Sequence, residues 1–159
     1  MALNKSQVDF LWSQIPDSSE NSLHYSLSKP YFNCSILTVI KDSNDAVTIG
    51  TVLNSVSTEI ALREEKNVKT AADVKALLTM LRNGEVDSLY INKETFTSLG
   101  TQTDDLTVCA EFETKLVLAF KQNDNAVKTE VEKIMAKIKA NGTASEISEK
   151  WYGKDYIIK

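Results

Sequence analysis

Apolar and polar positions along this chain repeat with two periods, and the switches between them mark its elements. Ala76, Leu77, Met80 and Leu81 recur at helical spacing, Asn83-Gly84 follows, and Val86, Leu89 and Ile91 then run as a strand with Asp87 near its start. Glycine enters the left-handed region without a Cβ clash, so Gly84 predicts the end of the helix. A helix that feeds a buried strand is half of a βαβ unit. The pattern occurs a second time at the N-terminus, where Leu3 to Trp12 aligns without a gap on Leu81 to Tyr90. Such a repeat predicts two similar α/β lobes in one chain.

The other segments follow by the same reading. Val8 to Trp12 is predicted as a strand buried on both faces, as parallel strands usually are. Ser13 to His24 is polar, contains Pro16 and reads as a loop with one helical turn. Tyr31 to Lys41 is β-branched and strand-like. Lys41 to Ala46 is a polar break, and Val47 to Val52 opens the next lobe. Asn54 or Ser55 caps a helix running to about Glu65, because a short side-chain oxygen can accept from the first-turn N–H groups. Asn67 to Lys69 is a short strand, and Thr70 caps the next helix with Asp73 in its first turn. Thr95 to Leu99 is a short helix, Leu106 to Ala110 a strand, and Leu116 to Phe120 an apolar return. Asn125 to Ala140 is a helix with Val127, Val131, Ile134, Met135 and Ile138 on one face. Gly142 breaks it, and Thr143 caps a last helix to Trp151.

Composition narrows the function classes. The 159 residues are 42% hydrophobic and 25% charged, as in a soluble globular chain. The net charge of −4 argues against nucleic acid as a partner, because no basic face is available for phosphates. Arg63 and Arg82 are the only arginines. No apolar run reaches the ~18 residues that span a bilayer, and Met1 to Phe10 lacks the pattern of a signal peptide. Cys34 and Cys109 could pair, but the pattern reads more simply as two unpaired, half-buried strand cysteines. No spacing suggests a metal site, and Gly50 and Gly84 stand alone rather than in a phosphate loop, so no metal or cofactor is expected. His24 has no plausible third group to act with Cys34, and no catalytic residue is assigned. Glu59, Glu64 and Glu65 read as a solvated helix face.

The repeated Leu-x-x-Gly-x-Val-Asp-like motif, Leu27-Ser28-Lys29-Pro30-Tyr31, and the tail from Ala140-Asn141-Gly142-Thr143 to Lys150-Trp151-Tyr152-Gly153 carry a resemblance. Together, in order, they resemble the extracytoplasmic solute-binding proteins of amino-acid ABC importers. The resemblance implies an α/β fold of the two-lobed, type II periplasmic-binding-protein kind, with residues 1–41 plus 115–159 as a partial first lobe and 42–114 as the second. The lobes would close about hinge strands near Lys41 and Lys115. It implies a location outside the cytoplasm, a membrane permease as partner, and a small polar solute, an amino acid included, as ligand. The strand, helix and strand that open the family's first lobe have no counterpart before Leu3. The uncovered edge predicts a homodimer, or a swap of elements, through the incomplete first lobe.

The same resemblance assigns the binding positions. The family's carboxylate-clamping arginine falls on Asn21. Its Gly-Ser/Thr-Thr turn falls on Asn54-Ser55-Val56, and its ammonium-accepting acid on Asn92. Ser13 and Gln14 stand where the family offers acceptors after the first-lobe strand. Trp12 and Tyr90 hold matching repeat positions and read more simply as packing residues than as cleft walls. Asn21, Val56 and Asn92 all depart from the pattern. A hydrogen bond to a charged partner contributes about 1.5–3 kcal/mol, so losing two is expected to weaken an α-amino acid by about three orders of magnitude. The expected function is solute capture for an importer, without catalysis. The competing reading is a degenerate domain of the same fold that oligomerises and binds no amino acid. An enzyme ranks last, because neither matched cleft position is acidic.

Overall fold

The computed structural model describes residues 3, 7–41, 47–64 and 66–159. The polar break over 42–46, residues 4–6 of the N-terminal repeat and Glu65 lie outside the described residues. Two compact units are present. One is Met1–Cys34 with Thr114–Lys159, and the other is Ser35–Glu113.

The continuous unit is a layered α/β structure. It contains most of β3 (Phe32–Ile40), then β4 (Thr48–Val52), α2 (Val56–Arg63), β5 (Asn67–Ala71), α3 (Val74–Arg82), β6 (Ser88–Asn92), α4 (Lys93–Ser98) and a 3₁₀ turn (Gly100–Thr103). β4 lies parallel to both β5 and β6, and β3 runs antiparallel to β6. The predicted Leu77 and Leu81 stripe of α3 is buried with Leu37, Val39, Val86, Leu89 and Ile91. Gly84 has φ 72°, the left-handed stop its sequence implies. The cap of α3 is Asp73, whose Oδ1 accepts from the N–H of Ala76 at 2.8 Å. Thr70, predicted as that cap, instead belongs to β5, which runs on to Ala71. A carboxylate both caps the helix and meets its positive end, so Asp73 outcompetes a threonine three residues earlier.

The discontinuous unit contains β1 (Phe10–Pro16), α1 (Ser19–His24), β2 (Ser26–Leu27), the start of β3, the end of β7 (Thr107–Phe120), α5 (Asn125–Ala140) and α6 (Thr143–Tyr152). Residues 116–120 of β7 are all buried and pair antiparallel with both β1 and β2. The predicted strand at Val8 to Trp12 is thus displaced to Phe10–Pro16, antiparallel, with only its central residues 12–14 exposed. The two segments predicted at 106–110 and 116–120 are one strand, continued by the mostly polar residues 111–115. α5 matches its predicted limits, and Asp124 caps it through Val127 N–H. Gly142, at φ 84°, holds the N-cap position of α6 that was expected of Thr143. The C-terminal tail joins β3: Asn33 N–H donates to Tyr156 O at 2.9 Å, and Ile158 N–H to Tyr31 O at 3.1 Å.

Candidate functional site

The strand–turn–helix from β4 into α2 carries three of the candidate residues. Asn54 adopts φ 61°, a conformation asparagine tolerates better than most side chains, and it is exposed. Ser55 is the N-cap, its Oγ accepting from Thr58 N–H at 3.2 Å. The Thr58 hydroxyl donates to Val52 O at 2.7 Å, so the buried Thr51 hydroxyl, also at 2.7 Å, is the donor to Thr58. These bonds fix the turn. The first-turn amides of Val56 and Ser57 precede any intrahelical acceptor, which leaves a donor pair at a positive helix end. Val56 itself is wholly buried, so only its backbone can serve as a donor.

Register brings Asn92 to the same place. Ile49 aligns with Ser88 and Gly50 with Leu89 in the parallel pair, so continuing two strands C-terminally sets Asn92 level with Leu53, beside Asn54. Both therefore stand at the carboxyl edge of parallel strands, where open α/β sheets take ligands. Asn92 ends β6 and holds the N-cap position of α4 without a side-chain capping bond to it. Lys93 is held by Glu111 at 2.7 Å. Glu94, in the first turn of α4, has one carboxyl oxygen enclosed with no hydrogen-bond partner among the described residues. Tyr90 is buried, stacks edge-on with Phe112 at 5.3 Å, and donates to Glu64 at 3.0 Å. Glu64 is accordingly a hydrogen-bond acceptor as well as part of a solvated face.

In the discontinuous unit the ladder between β1 and β7 is irregular from Leu11 to Ile15. Trp12, Ser13 and Gln14 fill the irregular stretch and all face solvent. Trp12 is 58% exposed and meets Tyr31 edge-on at 6.0 Å. The repeat equivalence of Trp12 with Tyr90 thus breaks down at the level of burial. Asn21 lies in α1 and its Nδ2 donates to Pro16 O at 3.0 Å, which ties the helix to the end of β1. Each unit therefore gathers its own candidate residues: Asn54, Ser55, Val56 and Asn92 in one, Ser13, Gln14 and Asn21 in the other.

Other chemistry in the chain is sparse. His24 is exposed against Tyr25. Cys34 and Cys109 are thiols, not half-buried as expected: Cys34 is buried and Cys109 exposed, with its Sγ 3.4 Å from Thr38 O. Among the described residues no three His, Cys, Asp or Glu side chains converge as a metal site, and no helix is long and apolar enough to cross a membrane. A cavity in the discontinuous unit, lined in part by Lys29, Tyr31, Glu132 and Lys139, was not found from sequence. The spacing of Glu132, Met135, Ala136 and Lys139, at i, i+3, i+4 and i+7, was the available signal.

Known proteins place this geometry. The L-cystine-binding protein TcyA of Bacillus subtilis (strain 168) is 24% identical over 165 residues, covering 96% of this chain and 62% of its own. The L-cystine-binding protein TcyJ of Escherichia coli (strain K12) is 26% identical over 171 residues, covering 97% and 64%. The chain therefore spans less than two thirds of the length of these relatives. The crystal structure of Tv2483 bound to L-arginine superposes with a TM-score of 0.81 at 19% identity, covering 99% of this chain and 71% of that one. The fold is thus α/β, a partial two-lobed arrangement of the type II periplasmic-binding-protein kind. The model for bacterial extracellular solute-binding proteins, family 3, matches residues 1–154, and the chain belongs to that family.

Proposed function

We propose that this chain captures a small polar solute, an amino acid or a close relative, outside the cytoplasm and delivers it to the permease of an ABC importer without chemical change. The observation that carries this reading is the register of β4 with β6. It sets the α2 turn and Asn92 side by side at the carboxyl edge of the sheet. The α2 amides suit a carboxylate or another acceptor group. Asn92 offers a neutral amide where a zwitterion would favour an acid, so the ligand is bound by hydrogen bonds more than by charge. Relatives named for L-cystine binding and a structural neighbour bound to L-arginine support an amino-acid-like ligand.

A thermal-shift panel of cystine, arginine, glutamine and neutral polar solutes tests this. A ligand at a hundred times its Kd adds about 2.7 kcal/mol, which raises the melting temperature by about 5–10 °C in a chain of this size. One compound is expected to do so. A second reading, an oligomerising domain that binds no amino acid, is favoured by one observation. Ile134 on α5 and Ile147 and Trp151 on α6 are at least half exposed. Silence across the panel, with a mass in light scattering that grows with concentration, supports that reading and overturns the receptor one.

A further inference from the structure

The cavity in the discontinuous unit has a volume of about 170 Å³. At about 30 Å³ per water it has room for roughly half a dozen waters, or for a ligand of about eight non-hydrogen atoms. One wall is the α5 stripe of Glu132, Met135, Ala136 and Lys139. The segment from Ser28 to Tyr31 supplies another part of the wall, and Leu118 of β7 completes the lining. That segment is firmly held. Ser28 N–H donates to Leu118 O at 2.9 Å, and Leu118 N–H donates to Ser28 Oγ at 2.9 Å. Lys29 N–H donates to Glu132 Oε1 at 3.0 Å, which joins the segment to the helix and engages the one carboxylate in the lining. The cavity is therefore preformed.

Its charges do not balance. Lys29 and Lys139 face one carboxylate, a net of one positive charge. Lys139 is partly buried, and its ammonium donates to Pro30 O at a long 3.4 Å. Among the described residues no carboxylate stands within ion-pair distance of it. Burial and then the nearby Lys29 charge hold its pKa below the ordinary lysine value. A partly buried cation without a counter-ion is costly, and an anion arriving beside it relieves that cost. Leu118, Met135 and Ala136 offer hydrocarbon next to it.

We propose that this cavity binds a short-chain monocarboxylate, with the carboxylate between Lys29 and Lys139 and the hydrocarbon tail against Leu118, Met135 and Ala136. A monoanion neutralises the lining, and a tail of about five carbons fills the volume. This site lies within one unit and uses none of the candidate receptor residues, so it stands or falls apart from the receptor reading.

Hexanoate is the probe, titrated into the full chain by calorimetry with hexanol and hexylammonium as comparators. Hexanoate is expected to saturate a single site, with both comparators at least about tenfold weaker, the loss expected for one charge-assisted bond. Lys139→Met keeps the length and packing of the side chain and is expected to weaken hexanoate by about tenfold or more, whereas Lys139→Arg stays within about threefold. Melting curves of both variants confirm that they fold. Equal binding of hexanol, undiminished binding by Lys139→Met, or no hexanoate binding at all overturns the proposal.

Discussion

Tyr90 shows how a single contact sets a pH dependence. Its hydroxyl is pushed up to about 12, chiefly by burial and then by its hydrogen bond to Glu64. Ionising it would strip water from a phenolate and place it against a carboxylate. The sign follows. Between pH 10 and 12 the folded chain retains a proton that the unfolded chain releases, so stability is complete below about pH 10 and falls as pH rises toward 12. Discounted for the solvent that still reaches the hydroxyl, the loss is on the order of 1–2 kcal/mol. Tyr90→Phe removes this dependence, so its unfolding free energy in urea should decline less steeply across that window than the parent's. Tyr31, also raised by burial, leaves a residual slope in the variant. Parallel slopes for parent and variant would refute the assignment. Nothing in the sequence indicated this pair, because Glu64 and Tyr90 lie on different elements and share no local spacing. Asn21, Asn54 and Asn92 were legible only as positions within motifs, and their neighbours come from tertiary structure.

At the scale of elements, sequence reading succeeded where a local pattern decides the outcome. α5 has one apolar face and a polar N-cap, and Gly84 ends α3, so neither needs tertiary information. It failed where the sheet decides. β7 keeps its strand conformation through Glu111 to Lys115 although the apolar pattern lapses, because it lies next to β3 in the sheet. Gly50 illustrates the same limit. The sequence shows only that it belongs to no phosphate loop, whereas the structure explains its size. A Cβ there would sit 2.9 Å from Leu77 Cδ1 and Leu89 Cδ2, and 3.0 Å from Val86 Cγ2. All three neighbours are buried in one core and have little freedom to withdraw. The close approach of α3 to β4 therefore depends on the missing side chain. Gly50→Ala is expected to destabilise by about 1–3 kcal/mol, the usual cost of overpacking. Urea denaturation should show a lower midpoint at unchanged slope, and an unaltered midpoint would show that the core yields freely.

For the molecule as a whole, α3 of one unit and α5 of the other differ in how completely they bury their apolar faces, and this predicts unequal local stability. The continuous unit encloses leucines and valines from β3, α3 and β6 in one cluster. In the discontinuous unit residues 116–120 of β7 are buried, but none of the sixteen residues of α5 is fully buried. A helix gains most of its stability from packing an amphipathic face, and α5 packs its face only partly. Local opening free energies follow buried contact, so α5 should open well before α3. Native-state hydrogen exchange followed by mass spectrometry tests this directly. Peptides over residues 74–82 and 88–92 should exchange near the rate of global unfolding, and those over 125–140 at least about a hundredfold faster, a difference of about 2.7 kcal/mol. Equal protection of the two sets in a monomeric sample would mean that α5 is held by contacts its burial does not reveal. Slowing of α5 alone on addition of hexanoate would tie its opening to the cavity at Lys139, because a ligand that binds only the closed helix must suppress its opening.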